Sequence, residues 1–283
     1  MVLESYNEGG YNKTKICKFL KISRTAFYKS KGCQMRILKQ EKAILNIVKH
    51  RRELLPREGV RKLYKAIKPE LDNNRLKVGR DKIFEILRKE DMLVKPKKSY
   101  YKTTNSKHWF YTHKNLIKGF VPDKSHQLWV SDITYLRLHK GHCYLALITD
   151  VYSRKIIGFD ISDTLELTGA RRALKMALKQ LPLNHQLIHH SDRGVQYCSY
   201  EYTGILKKNN IKISMTEKNH CYENAIAERV NGILKNEFFL DYVFPDLVVA
   251  KKATIDAIKK YNEIRLHVSL GYKIPNEVHG NAA

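Results

Sequence analysis

The sequence predicts an α/β protein, a mixed five-stranded sheet flanked by helices and preceded by an all-α region. Three observations predict it. Apolar residues recur at helical spacing through the first hundred residues. From Gln127 the pattern changes to β-branched and apolar runs bounded by turn residues. Beyond residue 161, helical stretches and short strands alternate until a long apolar helix near residue 239. A length of 283 residues allows about two domains, and 43% hydrophobic content is ordinary for a folded chain.

In the front half, Ile16, Phe19 and Leu20 form the first helical stripe, and Lys21-Ile22 interrupts it. Ser23 is a good N-cap for a short second helix over residues 24–29, which carries Ala26, Phe27 and Tyr28. Two helices joined by a tight turn follow helix-turn-helix logic, although no glycine marks the turn. Arg24 and Lys29 on the second helix are the candidate DNA contacts. A further helix is expected over 34–52, with Leu38, Ile44, Leu45, Ile47 and Val48 inside. A second helical pair is expected over 59–93. Leu63, Tyr64 and Ile67 form one stripe, Asp72-Asn73-Asn74 a break, and Ile83, Phe84, Ile86 and Leu87 another. That pair serves either DNA contact or a plain bundle with a solvated charged face.

Residues 1–94 are thus a helix-turn-helix DNA-binding region, and 95–122 a basic aromatic linker. In the linker Tyr100, Tyr101, Trp109, Phe110 and Tyr111 interleave with lysines and histidines. Such a segment suits either a DNA backbone with stacked bases or the cover of a neighbouring sheet edge. Residues 123–283 form the α/β unit. Strands are expected at 128–138, 144–151 and 155–161, with turns at Gly141 and Ser153-Arg154, making an antiparallel meander. A helix over 167–181, a strand over 186–190, a helix over 200–209, a strand over 211–215 and a helix over 224–239 follow. A basic tail helix covers 250–263.

Charge narrows the partner. There are 53 Lys and Arg against 28 Asp and Glu, a net of +25. Residues 1–110 carry 29 basic and 11 acidic residues, a net of +18, which leaves +7 for the rest. This uneven excess points to nucleic acid. No apolar run approaches the roughly 18 residues of a membrane helix, and the polar N-terminus lacks an export signal, so a cytoplasmic location follows. The five cysteines are scattered and form no Cys-x-x-Cys pair, so neither zinc nor a disulfide framework is expected, despite His189-His190.

Three acids stand out. Asp132 interrupts the apolar strand Trp129-Val130-Ser131-Asp132-Ile133-Thr134-Tyr135. A carboxylate there is costly unless it is paired or bound to metal. Asp192 ends a strand just before Arg193-Gly194, at a strand mouth where ligand sites form. Glu228 lies in a helix among small and apolar residues. Three such carboxylates can hold two divalent ions that assist attack and departure at a phosphodiester. Hard oxygen ligands favour Mg²⁺ or Mn²⁺.

The spacing is 59 residues between Asp132 and Asp192, then 35 between Asp192 and Glu228. It resembles that of retroviral integrases and bacterial insertion-sequence transposases of the DDE type. The surrounding segments resemble the second-reading-frame product of insertion sequences with two overlapping frames. They are Trp129 to Tyr135, then Asp150-Val151-Tyr152-Ser153-Arg154-Lys155-Ile156-Ile157-Gly158. His190-Ser191-Asp192-Arg193-Gly194-Val195-Gln196-Tyr197 and Cys221-Tyr222-Glu223-Asn224-Ala225-Ile226-Ala227-Glu228 follow. The tail, with Tyr261-Asn262, Arg265, His267, Leu270, Gly271-Tyr272 and Pro275, also fits, so the resemblance covers nearly the whole chain. Asn219, Glu223 and Leu266 depart from the usual glycine, aspartate and proline.

The resemblance implies an RNase H-like catalytic core and a DNA transposase whose catalytic, metal-binding trio is Asp132, Asp192 and Glu228. It implies cleavage at the terminal repeats of the element, then attack of the freed 3′-hydroxyl on another phosphodiester, supported by two Mg²⁺ or Mn²⁺ ions. It further implies double-stranded DNA as partner, a homo-oligomer on that DNA, a first-reading-frame partner protein, and a place at the nucleoid. Glu223 is the rival third acid, but near a helix start it is better read as favouring the helix dipole. Asp150 is expected to be a structural acid. Asn231 and Lys235, three and seven residues after Glu228, share its helix face and are candidate DNA contacts. Lys235 is otherwise a solvated lysine, and Arg193 grips either a phosphate or a nearby acid. Two alternatives remain at this point, a DNA-binding repressor on an inactive nuclease fold and a nuclease that cuts without joining.

Overall fold

A computed structural model describes residues 13–95, 110–217 and 224–280. The chain divides into two compact units, one drawn from Met1–Arg51 and Ile67–Leu93, the other from Arg52–Ala66 and Val94–Ala283. Tyr100, Tyr101 and Trp109 of the expected linker lie outside the described residues, as do Asn219, Cys221 and Glu223.

The first unit is all helix. α1 (Lys13–Phe19) stops at a turn where Lys21 takes a φ of 52°, with Ile22 N–H donating to the Cys17 carbonyl. Lysine here does what glycine does in most helix-ending turns. Ser23 caps α2, its hydroxyl accepting from Ala26 N–H at 3.0 Å, as the sequence predicts. However, α2 runs unbroken from Arg24 to Leu54 (Arg24–Leu54), so the two helices expected at 24–29 and 34–52 are one. Gly32 sits inside it, and one glycine costs a helix only about 1 kcal/mol, too little to end 31 residues of otherwise helical sequence. Phe19 is exposed, whereas Cys17, Phe27, Ile44, Ile47 and Val48 are buried. α3 (Val60–Asn73), whose residues up to Ala66 belong to the second unit, and α4 (Arg80–Lys89) match the second expected pair. The break between them again turns on a left-handed residue, Arg75, with a φ of 56°.

The second unit is built on a six-stranded sheet of order β3-β2-β1-β4-β5, with β6 paired to β1. β1 (Leu128–Leu138), β2 (His142–Asp150) and β3 (Ile156–Ser162) form the expected antiparallel meander. β4 (Ile188–Ser191) and β5 (Lys212–Met215) add in parallel beyond β1. The sixth strand, β6 (Val243–Phe244), has only two residues and pairs with Arg137 and Leu138, too short to leave a periodic signal.

Helices cover both faces. α5 (Leu167–Leu178), α6 (Val195–Cys198) and α7 (Tyr200–Lys208) pack with Trp129, Ile148, Ile157 and Met215 into one core. α8 (Ala225–Glu237) and α9 (Leu247–Glu263) supply Val230, Leu234, Ala257, Ile258 and Tyr261 to a second, on Leu136, Leu145 and Leu147. Residues expected in the front half reach this second core, since Leu55 is buried there. A short α10 (Pro275–Gly280) closes the described chain. Among the described residues, no helix is long and apolar enough to cross a membrane.

Candidate active site

The sheet register brings the two aspartates together. β1 and β4 run parallel and pair from Leu128↔Ile188 to Ser131↔Ser191. Asp132 and Asp192 are the next residues on each strand, at the point where the ladder ends. Parallel strands lie about 4.8 Å apart, and the crevice beyond their carboxyl ends is where open sheets bind ligands. β4 ends there because Asp192 turns the chain. Its carboxylate accepts from Gly194 N–H at 3.0 Å, and a side chain at Gly194 would meet that same oxygen.

α8 carries the third acid, Glu228, whose charge is the weakest influence on the Asp132 pKa. Asn224, buried at its start, donates from Nδ2 to the Ser131 carbonyl at 3.1 Å, which pins the helix to the strand one residue before Asp132. One turn on, Glu228 is exposed. Asn231, 6% exposed, donates from Nδ2 to Asp132 Oδ2 at 2.7 Å. Lys235 lies half-buried over the Tyr135 ring, 4.6 Å from its centre, and burial holds its ammonium below the usual lysine range while Asp132 pulls it back up. Of the side chains expected to touch DNA, Asn231 therefore faces Asp132 rather than solvent. Sequence reasoning placed Asn224 only at the start of the helix over 224–239, because its link to β1 depends on tertiary packing 93 residues away.

Asp132 has its pKa pushed up to about 7, first by burial and then by the Asp192 charge. The Asn231 and Ile133 hydrogen bonds oppose this, and Glu228 exerts the weakest influence. Among the described residues, no three His, Cys, Asp or Glu side chains converge closely enough to ligate one ion together. The donor chemistry nevertheless fits a hard divalent cation. A desolvated carboxylate pair that repels itself toward protonation is a site that positive charge stabilises.

Behind the aspartates lies a neutral, buried polar layer. His189 Nε2 is hydrogen-bonded to Ser131 Oγ at 2.7 Å and to Tyr202 OH at 3.0 Å. His190 Nδ1 is bonded to Ser214 Oγ at 2.9 Å. Burial drives the His189 pKa down to about 3, so it stays uncharged. These histidines are core residues that register neighbouring strands. Asp150 is likewise fully buried, accepting from His126 N–H, Ser153 N–H and the Ser153 hydroxyl. Arg193 donates from Nε to the Thr216 carbonyl at 2.6 Å, tying the loop after β4 to β5. In the first unit, Arg24 and Lys29 are exposed on α2.

Two family models, each described as an integrase core domain, match residues 122–221 and 209–275. The chain is 35% identical over 266 residues to an uncharacterized 31 kDa protein of insertion element IS600 from Shigella sonnei, spanning 90% of this chain and 94% of that one. It is 33% identical over 193 residues to Transposase InsF for insertion sequence IS3A of Escherichia coli (strain K12), spanning 68% and 67%. Among solved structures, the HTLV-2 integrase catalytic core domain in complex with magnesium matches with a TM-score of 0.45 and 21% identity. It covers 56% of this chain and 98% of that one.

Proposed function

The chain belongs to the insertion-sequence transposases built on an integrase core, and from that premise we propose that Asp132, Asp192 and Glu228 carry its DNA strand cleavage and strand transfer. It is a DNA transposase acting at insertion-sequence ends. The observation that carries the residue assignment is the Ser131↔Ser191 register, which sets Asp132 and Asp192 side by side where the strands part.

In this reading Asp132 and Asp192 hold the floor of the site, and α8 presents Glu228 from its exposed face. Asn231 fixes the rotamer of Asp132 through its 2.7 Å hydrogen bond. The half-buried ammonium of Lys235 lies beside Asp132, placed to contact a phosphate oxygen. When bound, two Mg²⁺ or Mn²⁺ ions assist the attacking oxygen and stabilise the leaving one at the phosphodiester. The neutral layer of Ser131, His189 and Tyr202 keeps water and counter-charge from beneath the carboxylates.

The front region, 1–94, with Arg24 and Lys29 exposed on α2, binds the terminal repeats, and the basic linker 95–122 leads to a catalytic core of 123–283. Arg193 keeps its loop in place and lies close enough to Asp192 in sequence to meet the same DNA. The active assembly is a homo-oligomer on double-stranded DNA at the nucleoid, joined by a first-reading-frame partner.

The test is a strand-transfer assay on labelled terminal-repeat duplex with the full chain. Wild type should give joined product with Mg²⁺ or Mn²⁺ and none in EDTA. Asp132→Asn, Asp192→Asn and Glu228→Gln should each abolish cleavage and joining while retaining DNA binding. Cut but unjoined product would identify a nuclease, and an active Glu228→Gln beside an inactive Glu223→Gln would move the third acid to Glu223.

A further inference from the structure

A basic recess lies at the turn between β2 and β3, where Asp150 pairs with Trp129 and Val151 N–H donates to the Leu128 carbonyl at the start of β1. Arg154 occupies that turn with a φ of 63°, a conformation that residues other than glycine rarely adopt. It is held there from two sides. Its N–H donates to the Asp150 carbonyl at 2.9 Å, and the buried Tyr261 hydroxyl donates to its own carbonyl at 3.0 Å. Strained residues that the surroundings over-determine cluster at functional sites.

The half-buried guanidinium of Arg154 makes no hydrogen bond or ion pair with any described residue. The nearby Asp150 carboxylate is committed to His126 and Ser153. Burial pulls the Arg154 pKa down, Tyr261 and Asp150 pull it up, and Arg229 lowers it again. A desolvated cation whose neighbouring acid is already taken attracts an anion more strongly than a solvated one does.

Arg154 opens into a recess of about 380 Å³, within the size range of small-ligand sites. Val121, Pro122, Leu270 and Val278 form an apolar wall, with Tyr152 and the exposed Lys273 also lining it. The recess connects to the catalytic helix. Val151, another lining residue, packs in one cluster with Ala227, which immediately precedes Glu228. Arg229, exposed and next to Glu228, acts on Arg154 electrostatically. Arg229, which follows Glu228 on α8, and Arg154 in the recess are thus close enough to interact electrostatically.

We propose that this recess is a nucleotide subsite for the DNA strand flanking the scissile phosphate. Arg154 and Lys273 take a backbone phosphate, and Tyr152 with the apolar wall takes the attached deoxyribose and base. Aromatic and apolar surface beside a cation is how proteins hold a splayed nucleotide. The subsite rests on the transposase reading above.

Full-length protein is titrated with labelled terminal-repeat duplex at several salt concentrations. The variants are Arg154→Gln and Arg154→Gly, the glycine being at home at this φ and therefore safe for folding. Both should lose roughly tenfold to a hundredfold in affinity, as expected for a charged hydrogen-bonded contact. The slope of log affinity against log salt should drop by about 0.9 for the phosphate contact removed. An abasic nucleotide scanned through the flanking strand should weaken wild-type binding at one position, and should have no further effect in Leu270→Trp, which fills the recess. Unchanged affinity and slope in both Arg154 variants overturns the subsite. A reduced slope with a flat abasic scan overturns the nucleoside half. Wild type run in the joining assay separates the two readings. No joined product from wild type means the transposase reading fails, whereas normal joining with silent Arg154 variants defeats the subsite alone.

Discussion

Removing the Asn231 amide is the sharpest perturbation of the site that leaves every carboxylate in place. Asn231 Nδ2 donates to Asp132 Oδ2 at 2.7 Å from a position only 6% exposed, so water cannot replace it readily. A hydrogen bond to a charged group contributes about 1.5–3 kcal/mol. At about 1.4 kcal/mol per factor of ten, that corresponds to a loss of roughly tenfold to a hundredfold. Groups that orient metal ligands show losses of a similar size, about 10–100-fold. Asn231→Ala is expected to lower the joining rate by this factor with DNA affinity and its salt slope unchanged. Asn231→Asp sets a second carboxylate against Asp132 and should be worse. The assay is single-turnover strand transfer at saturating DNA, with a parallel binding titration. Full activity in Asn231→Ala would refute the positioning role. A lost binding affinity with a shallower salt slope and an intact rate would return Asn231 to the role of DNA contact.

Three other expectations follow. Without divalent ions, Asp132 is an acid whose folded pKa is raised to about 7, so the folded state favours its protonated form. The stability it permits is full below its ordinary pKa near 3.8 and is lost as pH rises toward 7. Melting temperature in EDTA should therefore fall across this window, Asp132→Asn should flatten the fall, and Mg²⁺ should reverse it at pH 8; an equally steep fall in Asp132→Asn would contradict this. Glu237 accepts from Lys62 Nζ at 2.8 and 2.9 Å and from Arg265 at 2.7 and 2.8 Å. Burial raises its pKa, but the Arg265 and Lys62 contacts outweigh this and hold it below the ordinary value of 4.5, so its contribution is present above pH 4.5 and lost as pH falls further. Glu237→Gln should cost about 3 kcal/mol at pH 7 by denaturant titration, at the low end for a broken buried pair because Glu237 keeps 21% of its side chain exposed. Arg24→Ala or Lys29→Ala in the full chain should weaken DNA binding; equal loss on scrambled duplex marks a phosphate contact, and loss of terminal-repeat preference marks a base contact.

Much of the second unit was legible because its strands are β-branched and apolar runs bounded by turn residues, and its acids break that pattern. Asp132 is conspicuous inside an apolar strand, and Asp192 inside a strand-to-turn junction. Their adjacency was not legible, since it depends on the parallel register of two strands 60 residues apart in sequence. Local signals misled between residues 29 and 34, where a gap between two helices was expected and α2 instead continues. The breaks expected at Lys21-Ile22 and at Asp72-Asn73-Asn74 are both present, with Lys21 and Arg75 taking the positive φ. Asn231 was expected to share the face of Glu228, yet its side chain is buried against β1 and meets Asp132 while Glu228 is exposed. β6, at two residues, lies below any periodicity.

The chemistry beneath the site explains why its aspartates need a cation rather than a protein partner. A protonated histidine below the sheet mouth would neutralise Asp132 and Asp192 and compete with a divalent ion. Instead His189 is held uncharged by burial, with its Nε2 shared between Ser131 and Tyr202. Tyr197, whose pKa is pushed up by burial and by both aspartates, likewise remains a neutral phenol. Of the arginines that follow Asp192 and Glu228 in sequence, Arg193 donates from Nε to the Thr216 carbonyl and Arg229 acts electrostatically on Arg154. Lys235 acts on Asp132, but from over the Tyr135 ring and with its own charge weakened by burial. Asp132 thus sits over a neutral, buried floor and beside the Asp192 charge, which raises its pKa further. Such an arrangement is costly for the protein alone and favourable once hard cations and a DNA phosphate share the crevice.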